Sequence, residues 1–390
     1  MLSESTINIV KSTVPALQEN GLSITEKFYE MLFEAAPDLK HVFNMSNQRN
    51  ASQSRALADA VLAYANNIDN IEVLVPAVKR IANKHSSIGV EARHYPLVGA
   101  SLLKAIQQVL SLPDKHPALE AWGEAYGILA DIFIGAESEL YTAREQAVGG
   151  WRGFRTFNII SIKGETPEVK SFILKPADNA PVLNFSGGQY VGLKIFSNAT
   201  GYDQIRQYSL SNWSTSTDRY RLTVKKEPEG TISNVLHNYT IGDSVLLSPP
   251  FGEFTLNSDA QQHVFISGGV GITPLFSMLQ QAVASGMDKT NLLFVECCRG
   301  REHQIFKDEL KQLADAGATV LKQVFEYGDG GDFSGRLTPA ILDNWLIDKS
   351  AQVYFCGPQP FMSELKRQLS SIGFADEQLH YEIFGPTTSL

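Results

Sequence analysis

The sequence predicts a multidomain chain in which an all-α domain is followed by an antiparallel β-barrel and then by an α/β domain with a parallel sheet. Its 390 residues are enough for about two or three domains. The spacing of apolar residues changes from that of helices to that of strands at Gly149–Gly150, and strands alternate with helices after His263. The domain boundaries that we predict are 1–148, 149–258 and 259–390.

The first of these regions carries apolar side chains at helical spacing. One stripe consists of Ile24, Phe28 and Leu32, and another leads from Leu74 through Val78 and Ile81 to His85. Such stripes are typical of helices that bury one face. Prolines at the expected helix starts and ends are Pro37, Pro76, Pro96, Pro113 and Pro117. We therefore expect about six or seven helices before residue 149.

The two following regions have different patterns. Tyr220, Leu222 and Val224 alternate with polar residues, and glycine and proline pairs separate short segments, which predicts an all-β barrel or sandwich for residues 150–256. Beyond it, the segments VFISGG, LLFVECC and VYFCG are predicted strands, each followed by a helical segment. This alternation indicates a parallel sheet with α/β topology.

The composition excludes several classes of function. The formal net charge is -9 and no basic run exceeds Lys225–Lys226, so we expect no nucleic-acid partner. The three cysteines, Cys297, Cys298 and Cys356, form no recognisable disulfide framework, which favours the cytoplasm. No apolar run has the length of a membrane span, and we expect no stable membrane insertion.

Two motifs in the last region point to a nucleotide. Gly268–Gly269–Val270–Gly271–Ile272–Thr273–Pro274 follows a predicted strand, and its glycines allow a tight turn and the close approach of a pyrophosphate. We expect Thr273 to cap the next helix and Pro274 to stand in its first turn. Cys356–Gly357–Pro358 follows another strand, at the sheet edge where such ligands bind. Taken alone, a plain tight turn and a buried core cysteine would explain them. Together they predict a nicotinamide-nucleotide site.

A third motif, Arg206–Gln207–Tyr208–Ser209, is predicted to open a strand of the β region. Arginine can neutralise a pyrophosphate and tyrosine can stack on a flat ring, although an ordinary exposed strand explains these four residues better if they are taken alone. With Gly188–Gln189–Tyr190 and the nucleotide motifs, however, they resemble the ferredoxin–NADP reductase family. That resemblance implies that NAD(P)H binds at the two nucleotide motifs. It implies further that FAD is held by Tyr190, Arg206, Gln207, Tyr208 and Ser209, with Phe384, Gly385 and Pro386 beside the flavin ring.

His85 lies on an apolar helical face, where a lone histidine is usually a core residue. The region around it nevertheless resembles a globin, because Phe28–Tyr29 precedes Pro37, Phe43 follows, and Gln53 begins the next helix before His85. The resemblance implies that the chain binds haem b and that His85 is the ligand of the haem iron, with Phe43 and Lys84 contacting the cofactor. It also implies that Tyr29 and Gln53 are polar donors for bound oxygen.

A globin fused to such a reductase resembles the flavohaemoglobin family over essentially the whole chain. This resemblance implies that Tyr95 and Glu137 lie behind His85. An imidazole that donates to a carboxylate gains imidazolate character and pushes electron density onto iron. Glu139 is an alternative to Glu137, since residues two positions apart on a helix point to different faces.

The activity implied by the resemblance is that of a nitric oxide dioxygenase. In that activity NAD(P)H reduces FAD, FAD reduces haem, and ferrous haem binds O2 and oxidises nitric oxide to nitrate. Two alternatives stay open: an O2- or nitric oxide-binding or sensing globin with an attached haem reductase, and a reductase whose helical domain is empty. We expect a cytoplasmic monomer that acts on these small molecules. NADH and NADPH cannot be distinguished, because Arg299 and Arg301 are equally suited to bind a 2′-phosphate or to face water.

Overall fold

The computed structural model describes residues 2–43, 51–198 and 200–385. The chain divides into two compact units. The first comprises residues 1–146, 152–154 and 194–206, and the second comprises residues 147–151, 155–193 and 207–390.

The N-terminal region is helical, as predicted. Within the described ranges its α-helices are α1 (Glu4–Ser12), α2 (Val14–Ala35), α3 (Ser52–Asn66), α4 (Val75–Ile88), α5 (Tyr95–Val109) and α6 (Pro117–Gln146). Short 3-10 turns span Pro37–His41, Ile71–Leu74 and Ala92–His94. Proline stands in the first turn of α2, α4 and α5, where its missing N–H has no helical acceptor to lose.

Two apolar clusters form the core of the helical region. The larger one contains the predicted stripe Ile24, Phe28 and Leu32, all of which are buried. The smaller one centres on Ala82, Tyr95, Ala130 and Phe133, and Val78 and Ile81 of the second predicted stripe pack against it. The helical periodicity therefore identified the buried faces of α2 and α4.

The β region is an antiparallel barrel with six strands within the described ranges: β1 (Arg155–Thr166), β2 (Val169–Pro176), β3 (Tyr190–Ser197), β4 (Tyr202–Ser209), β5 (Tyr220–Lys225) and β6 (Ser244–Leu247). Their order is β4-β3-β6-β1-β2-β5. An isolated bridge from Leu210, directly after β4, to Leu222 of β5 joins the two edges and closes the barrel.

Two features of this region differ from the sequence prediction. Arg206–Ser209 ends strand β4 instead of opening it, because the strand already begins at Tyr202. A short helix, α7 (Thr231–His237), lies between β5 and β6 in a region predicted to be all β. Its seven residues are too few to show a helical period in the sequence.

The C-terminal region is a parallel sheet of β7 (His263–Gly268), β8 (Leu292–Cys298), β9 (Val320–Phe325), β10 (Phe333–Ser334), β11 (Gln352–Cys356) and β12 (Leu379–Tyr381). The strand order is β10-β9-β8-β7-β11-β12, and every pair of neighbours is parallel. The helices are α8 (Ile272–Ala284), α9 (Lys307–Asp315), α10 (Pro339–Trp345) and α11 (Gln359–Ser371).

The strand order reverses at β7, which pairs with β8 on one side and with β11 on the other. Ligands of open α/β sheets bind at such a switch point, beyond the carboxyl ends of the strands. Both predicted nucleotide motifs follow these central strands. Separately, no helix in the described part of the chain has the length and apolar character needed to cross a lipid bilayer.

Candidate functional site

Three helices bring His85, Tyr95 and Glu137 together. His85 lies in the last turn of α4, Tyr95 begins α5, and Glu137 lies within α6. Glu137 Oε1 is 2.8 Å from His85 Nδ1 and accepts a hydrogen bond of 2.6 Å from the Tyr95 hydroxyl. The Tyr95 hydroxyl is also 3.3 Å from His85 Nδ1. The structure thus assembles the trio that the sequence suggested.

Burial decides which glutamate belongs to this trio. The Glu137 side chain is only 3% exposed, whereas Glu139 lies on the exposed face of α6. Burial, and then the negative charge of Glu137, raise the pKa of Tyr95 far above its ordinary value, so its hydroxyl stays protonated and donates. Glu137 therefore accepts from both neighbours, and the hydrogen on the imidazole is held at Nδ1.

The other ring nitrogen of His85, Nε2, has no hydrogen-bond partner among the described residues, and the His85 side chain is 34% exposed. The ring of Phe133 lies 5.7 Å from the imidazole between centroids. An imidazole whose Nδ1 proton is fixed presents the Nε2 lone pair outward. That arrangement suits a metal ligand better than a core histidine.

Tyr29 and Gln53 come from α2 and α3 respectively, as expected. Tyr29 is buried, and its ring packs 4.7 Å from Phe28 and 5.8 Å from Phe43 between centroids. Gln53 Oε1 is buried without a hydrogen-bond partner in the described residues. Because a buried polar atom without a partner costs about 1–3 kcal/mol, this atom indicates a polar ligand in the space next to it.

The two nucleotide motifs contact each other at the switch point. A Cβ added to Gly271 would lie 2.2 Å from the carbonyl oxygen of Cys356, and one added to Gly357 would lie 3.1 Å from Cα of Gly268. Side chains at either glycine would push the motifs apart. Gly269 has a φ of +53°, and no atom lies within 4 Å of the place its Cβ would take. The backbone there is open to a phosphate group.

The predicted cap of helix α8 was wrong. The helix begins at Ile272, and the residue in the cap position is Gly271. The 3-10 turn Gly269–Gly271 leads directly into the helix, so Thr273 already lies inside it. The Thr273 hydroxyl donates to the carbonyl of Val270 at 3.0 Å and does not cap a backbone N–H.

The two flavin motifs are joined by a backbone hydrogen bond of 2.9 Å from Leu210 N–H to the carbonyl of Gln189. Next to it, Gly188 has a φ of +99°, and an added Cβ would lie 1.9 Å from the carbonyl oxygen of Phe254. Tyr190 is buried, whereas Tyr208 is half-buried. In the second motif Ser209 is buried and Gln207 is exposed, and the Arg206 guanidinium donates to the carbonyl of Ile205 at 2.7 Å.

Glu382, near the C-terminus, interacts with Cys356 of the second nucleotide motif and with Tyr190 of the barrel. Cys356 is fully buried, and its thiol donates to the carbonyl of Glu382 at 3.4 Å. Burial raises the pKa of Tyr190, and the Glu382 carboxylate raises it further, so Glu382 lies within electrostatic reach of both motifs. Glu382 was not among the predicted site residues, although it stands two residues before Phe384, the first predicted residue of the C-terminal segment.

Phe384 keeps 48% of its surface exposed, and Gly385 has a φ of +135°. Pro386, the third predicted residue of this segment, lies outside the described residues. Lys84 precedes His85 on α4 and is half-buried.

Comparisons with known proteins match three families along the chain. A globin family matches residues 26–133, the oxidoreductase FAD-binding domain matches residues 156–256, and the oxidoreductase NAD-binding domain matches residues 265–367. The Flavohemoprotein of Bacillus cereus is 42% identical over 406 aligned positions, which cover 100% of both chains. The chain belongs to the flavohemoprotein family.

Solved structures support the family assignment. The flavohemoglobin from Malassezia yamatoensis, with bound FAD and heme, matches with a TM-score of 0.89 at 28% identity and covers 98% of this chain and 100% of its own. The FAD/NAD-binding domain of nitric oxide dioxygenase from Vibrio cholerae is 32% identical, with a TM-score of 0.55, and covers 60% of this chain and 99% of its own.

This flavohemoprotein is therefore an oxidoreductase whose cofactors are haem, FAD and NAD. The predictions of fold class, family and cofactors from the sequence are confirmed. The residues present fit these groups: His85 Nε2 and the unpaired Gln53 Oε1 suit haem and its ligand, and the open backbone at Gly269 suits a nucleotide. The exposed aromatic ring of Phe384 suits a contact with a flavin.

Proposed function

We propose that this flavohemoprotein is a nitric oxide dioxygenase, which uses NAD(P)H and O2 to convert nitric oxide to nitrate. The observation that carries the proposal is the contact of 2.8 Å between buried Glu137 and His85 Nδ1. A carboxylate behind a histidine ligand favours oxygen activation over simple storage. The name of the Vibrio cholerae neighbour, nitric oxide dioxygenase, supports the same activity.

When bound, FAD converts the two-electron donation of NAD(P)H into single electrons, and haem supplies the iron at which oxygen is activated. His85 would hold the iron through Nε2, while Glu137 keeps the proton at Nδ1 and fixes the plane of the ring. Tyr95 donates to the same carboxylate oxygen and prevents Glu137 from turning away. Lys84 and Phe43 are the further residues that we assign to the haem site.

On the opposite side, we assign Tyr29 and Gln53 to the oxygen-binding face. Tyr29 would provide its hydroxyl and Gln53 its amide, next to the rings of Phe28 and Phe43 that pack against Tyr29. Gln53 Oε1 is buried and accepts no hydrogen bond from the described residues, which supports this assignment, because the side-chain amide can turn to place either its oxygen or its N–H groups toward a ligand.

In the reductase part, we assign the flavin to Tyr190, Arg206, Gln207, Tyr208 and Ser209, with Phe384, Gly385 and Pro386 beside its ring. We assign the nicotinamide nucleotide to Gly268, Gly269, Val270, Gly271, Ile272, Thr273, Cys356, Gly357 and Pro358. The closeness of Gly271 to the Cys356 carbonyl supports a single site formed by both motifs.

The domain boundaries 1–148, 149–258 and 259–390, the cytoplasmic location and the monomeric state remain predictions. Three free cysteines in the described structure are compatible with a reducing compartment.

The decisive experiment follows nitric oxide with an electrode while the protein, loaded with haem and FAD, is supplied with NADH and O2. We expect rapid consumption of nitric oxide with nitrate as the product, and none when NADH is omitted. If the protein binds both cofactors and is reduced by NADH but leaves nitric oxide unchanged, the dioxygenase proposal is wrong. An O2- or nitric oxide-binding globin with a haem reductase then becomes the better reading.

A further inference from the structure

Arg221 is a buried cation that belongs to none of the motifs described so far. It lies on β5 of the barrel, and its side chain is 8% exposed. One guanidinium nitrogen, Nη2, donates to the carbonyl of Ser211 at 2.6 Å. The backbone N–H of Ser211 in turn donates to the Arg221 carbonyl at 3.0 Å. Arg221 thus holds the segment that directly follows the flavin motif ending at Ser209.

The same guanidinium reaches the nucleotide-binding domain. Its Nη1 lies 2.8 Å and 2.9 Å from the two carboxylate oxygens of Glu309 on α9. The guanidinium carbon stands 4.4 Å from the ring centre of Phe306 and 5.6 Å from that of Phe276. A charged, hydrogen-bonded guanidinium stacked on aromatic rings is held in one orientation.

The backbone of Phe306 adds an independent sign that this contact is specific. Phe306 is fully buried and has a φ of +58°, in the left-handed region that non-glycine residues rarely adopt. Such a conformation is strained and persists only where the surroundings enforce it. The Phe306 ring stacks on that of Phe276 with 4.7 Å between ring centres, and the Arg221 guanidinium contacts both rings.

We propose that Arg221 is a positioning residue for the reduction of FAD by NAD(P)H, because it fixes α9 of the nucleotide-binding domain to the end of the flavin-binding strand. Hydride transfer requires close contact between the two reacting rings, and a misplacement of about 1 Å can lower a rate by about 100-fold. The inference rests on the proposed electron path only at this first step and is independent of nitric oxide.

The test measures anaerobic reduction of the flavin in stopped flow, with the full chain loaded with haem and FAD. The reaction is the reduction of FAD by NADH and one solvent proton, which yields NAD⁺ and two-electron-reduced FAD. The variants are Arg221→Met, which keeps an unbranched apolar stem, and Glu309→Gln, which removes only the negative charge. Arg219→Ala is the matched control, because Arg219 stands two residues before Arg221 and pairs with its neighbour Asp218 on the surface.

For Arg221→Met we expect the limiting rate of flavin reduction to fall about tenfold or more, with an NADH dissociation constant within about threefold of the wild-type value. Glu309→Gln should lower the same rate by about threefold or more, since the guanidinium then loses its ionised acceptor and one of the two acceptor oxygens is replaced by an NH2 group. Hydrogen exchange in α9 should be faster in both variants. Arg219→Ala should match the wild type in every measurement.

A folded Arg221→Met protein with full FAD content and the wild-type limiting rate would overturn the proposal. If that variant does not fold, Glu309→Gln decides, and a wild-type rate with unchanged exchange in α9 has the same consequence. Loss of rate only in proportion to loss of FAD also contradicts a positioning role. Because no nitric oxide is present, a failure of the dioxygenase proposal would leave these rates unchanged.

Discussion

Glu137 is the residue on which the proposed oxygen chemistry depends most. It is nearly inaccessible to solvent, yet it accepts hydrogen bonds from the Tyr95 hydroxyl and His85 Nδ1 at 2.6 Å and 2.8 Å. A buried carboxylate with two donors is well satisfied and has little freedom to move. Its negative charge therefore acts on the imidazole in one fixed direction.

Replacing Glu137 with Gln should reduce nitric oxide consumption by about 10–100-fold, the usual effect of losing a hydrogen-bonded group behind a metal ligand. The amide keeps the shape but not the charge that strengthens the histidine as a donor to iron. Oxygen affinity, measured by flash photolysis, should change less. Glu139→Gln is the control, since Glu139 is exposed two residues along the same helix. Equal turnover by both variants would contradict the role given to Glu137.

Strand β8 carries a buried glutamate, Glu296, near its carboxyl end. Glu296 is 3% exposed and accepts a hydrogen bond of 2.9 Å from Gln304, in the segment that leads to α9. A second, longer contact of 3.4 Å comes from Gln323 of β9. Burial raises the pKa of Glu296 from 4.5 to about 7, although these hydrogen bonds oppose the rise. The carboxyl group of Glu296 thus links β8 to β9 and to the segment before α9, and its contribution to the free energy of unfolding depends on pH.

This pKa shift has a definite sign for stability. Because the folded-state pKa exceeds the unfolded value of 4.5, the folded protein binds the proton more tightly. The resulting stabilisation is complete below about pH 4.5 and is lost as the pH rises through about 7. Glu296→Gln should therefore be more stable than the wild type at pH 8, relative to their difference at pH 5, by about 3 kcal/mol. Urea unfolding at both pH values measures it, and a difference independent of pH would contradict the shift.

The residues that we assign to haem and those that we assign to the nicotinamide nucleotide lie in different compact units of the chain. His85, Tyr95 and Glu137 belong to the first unit, and Tyr190, the glycine-rich motif and Cys356 belong to the second. By the proposed function, nitric oxide turnover involves His85, Tyr95 and Glu137, whereas electron uptake from NADH involves none of these three residues. The two activities should therefore be separable by a single substitution.

His85→Ala should remove the side chain that would bind the haem iron and reduce nitric oxide consumption by at least about 100-fold. The same variant should reduce ferricyanide with NADH at a rate within about twofold of the wild type, because His85 lies in a different compact unit from the glycine-rich motif and Cys356. The Soret band and the flavin spectrum report the cofactor content of each sample. Loss of both activities with full FAD content would show that the reductase depends on an intact haem site.

Much of this protein was accessible from local sequence patterns. Helical and strand periods depend on neighbouring residues only, so they predicted the class and order of the three regions. The assignment of the glycine-rich and Arg206–Ser209 motifs to the cofactors stays a prediction. The same local reasoning misplaced the helix cap at Thr273 and the start of β4. Both errors concern boundaries, where the preceding turn or strand decides the geometry.

The family and the cofactors could be recognised in the amino-acid sequence through its resemblance to the flavohaemoglobin family, and the same resemblance pointed to His85 as the candidate iron ligand. Only the tertiary structure decided between Glu137 and Glu139, and only it brought Cys356, Glu382 and Tyr190 near one another. Arg221 and Glu309 carry no signal in their own segments. Their contact depends on how β5 of the barrel and α9 pack within one compact unit, a long-range property that local patterns do not contain.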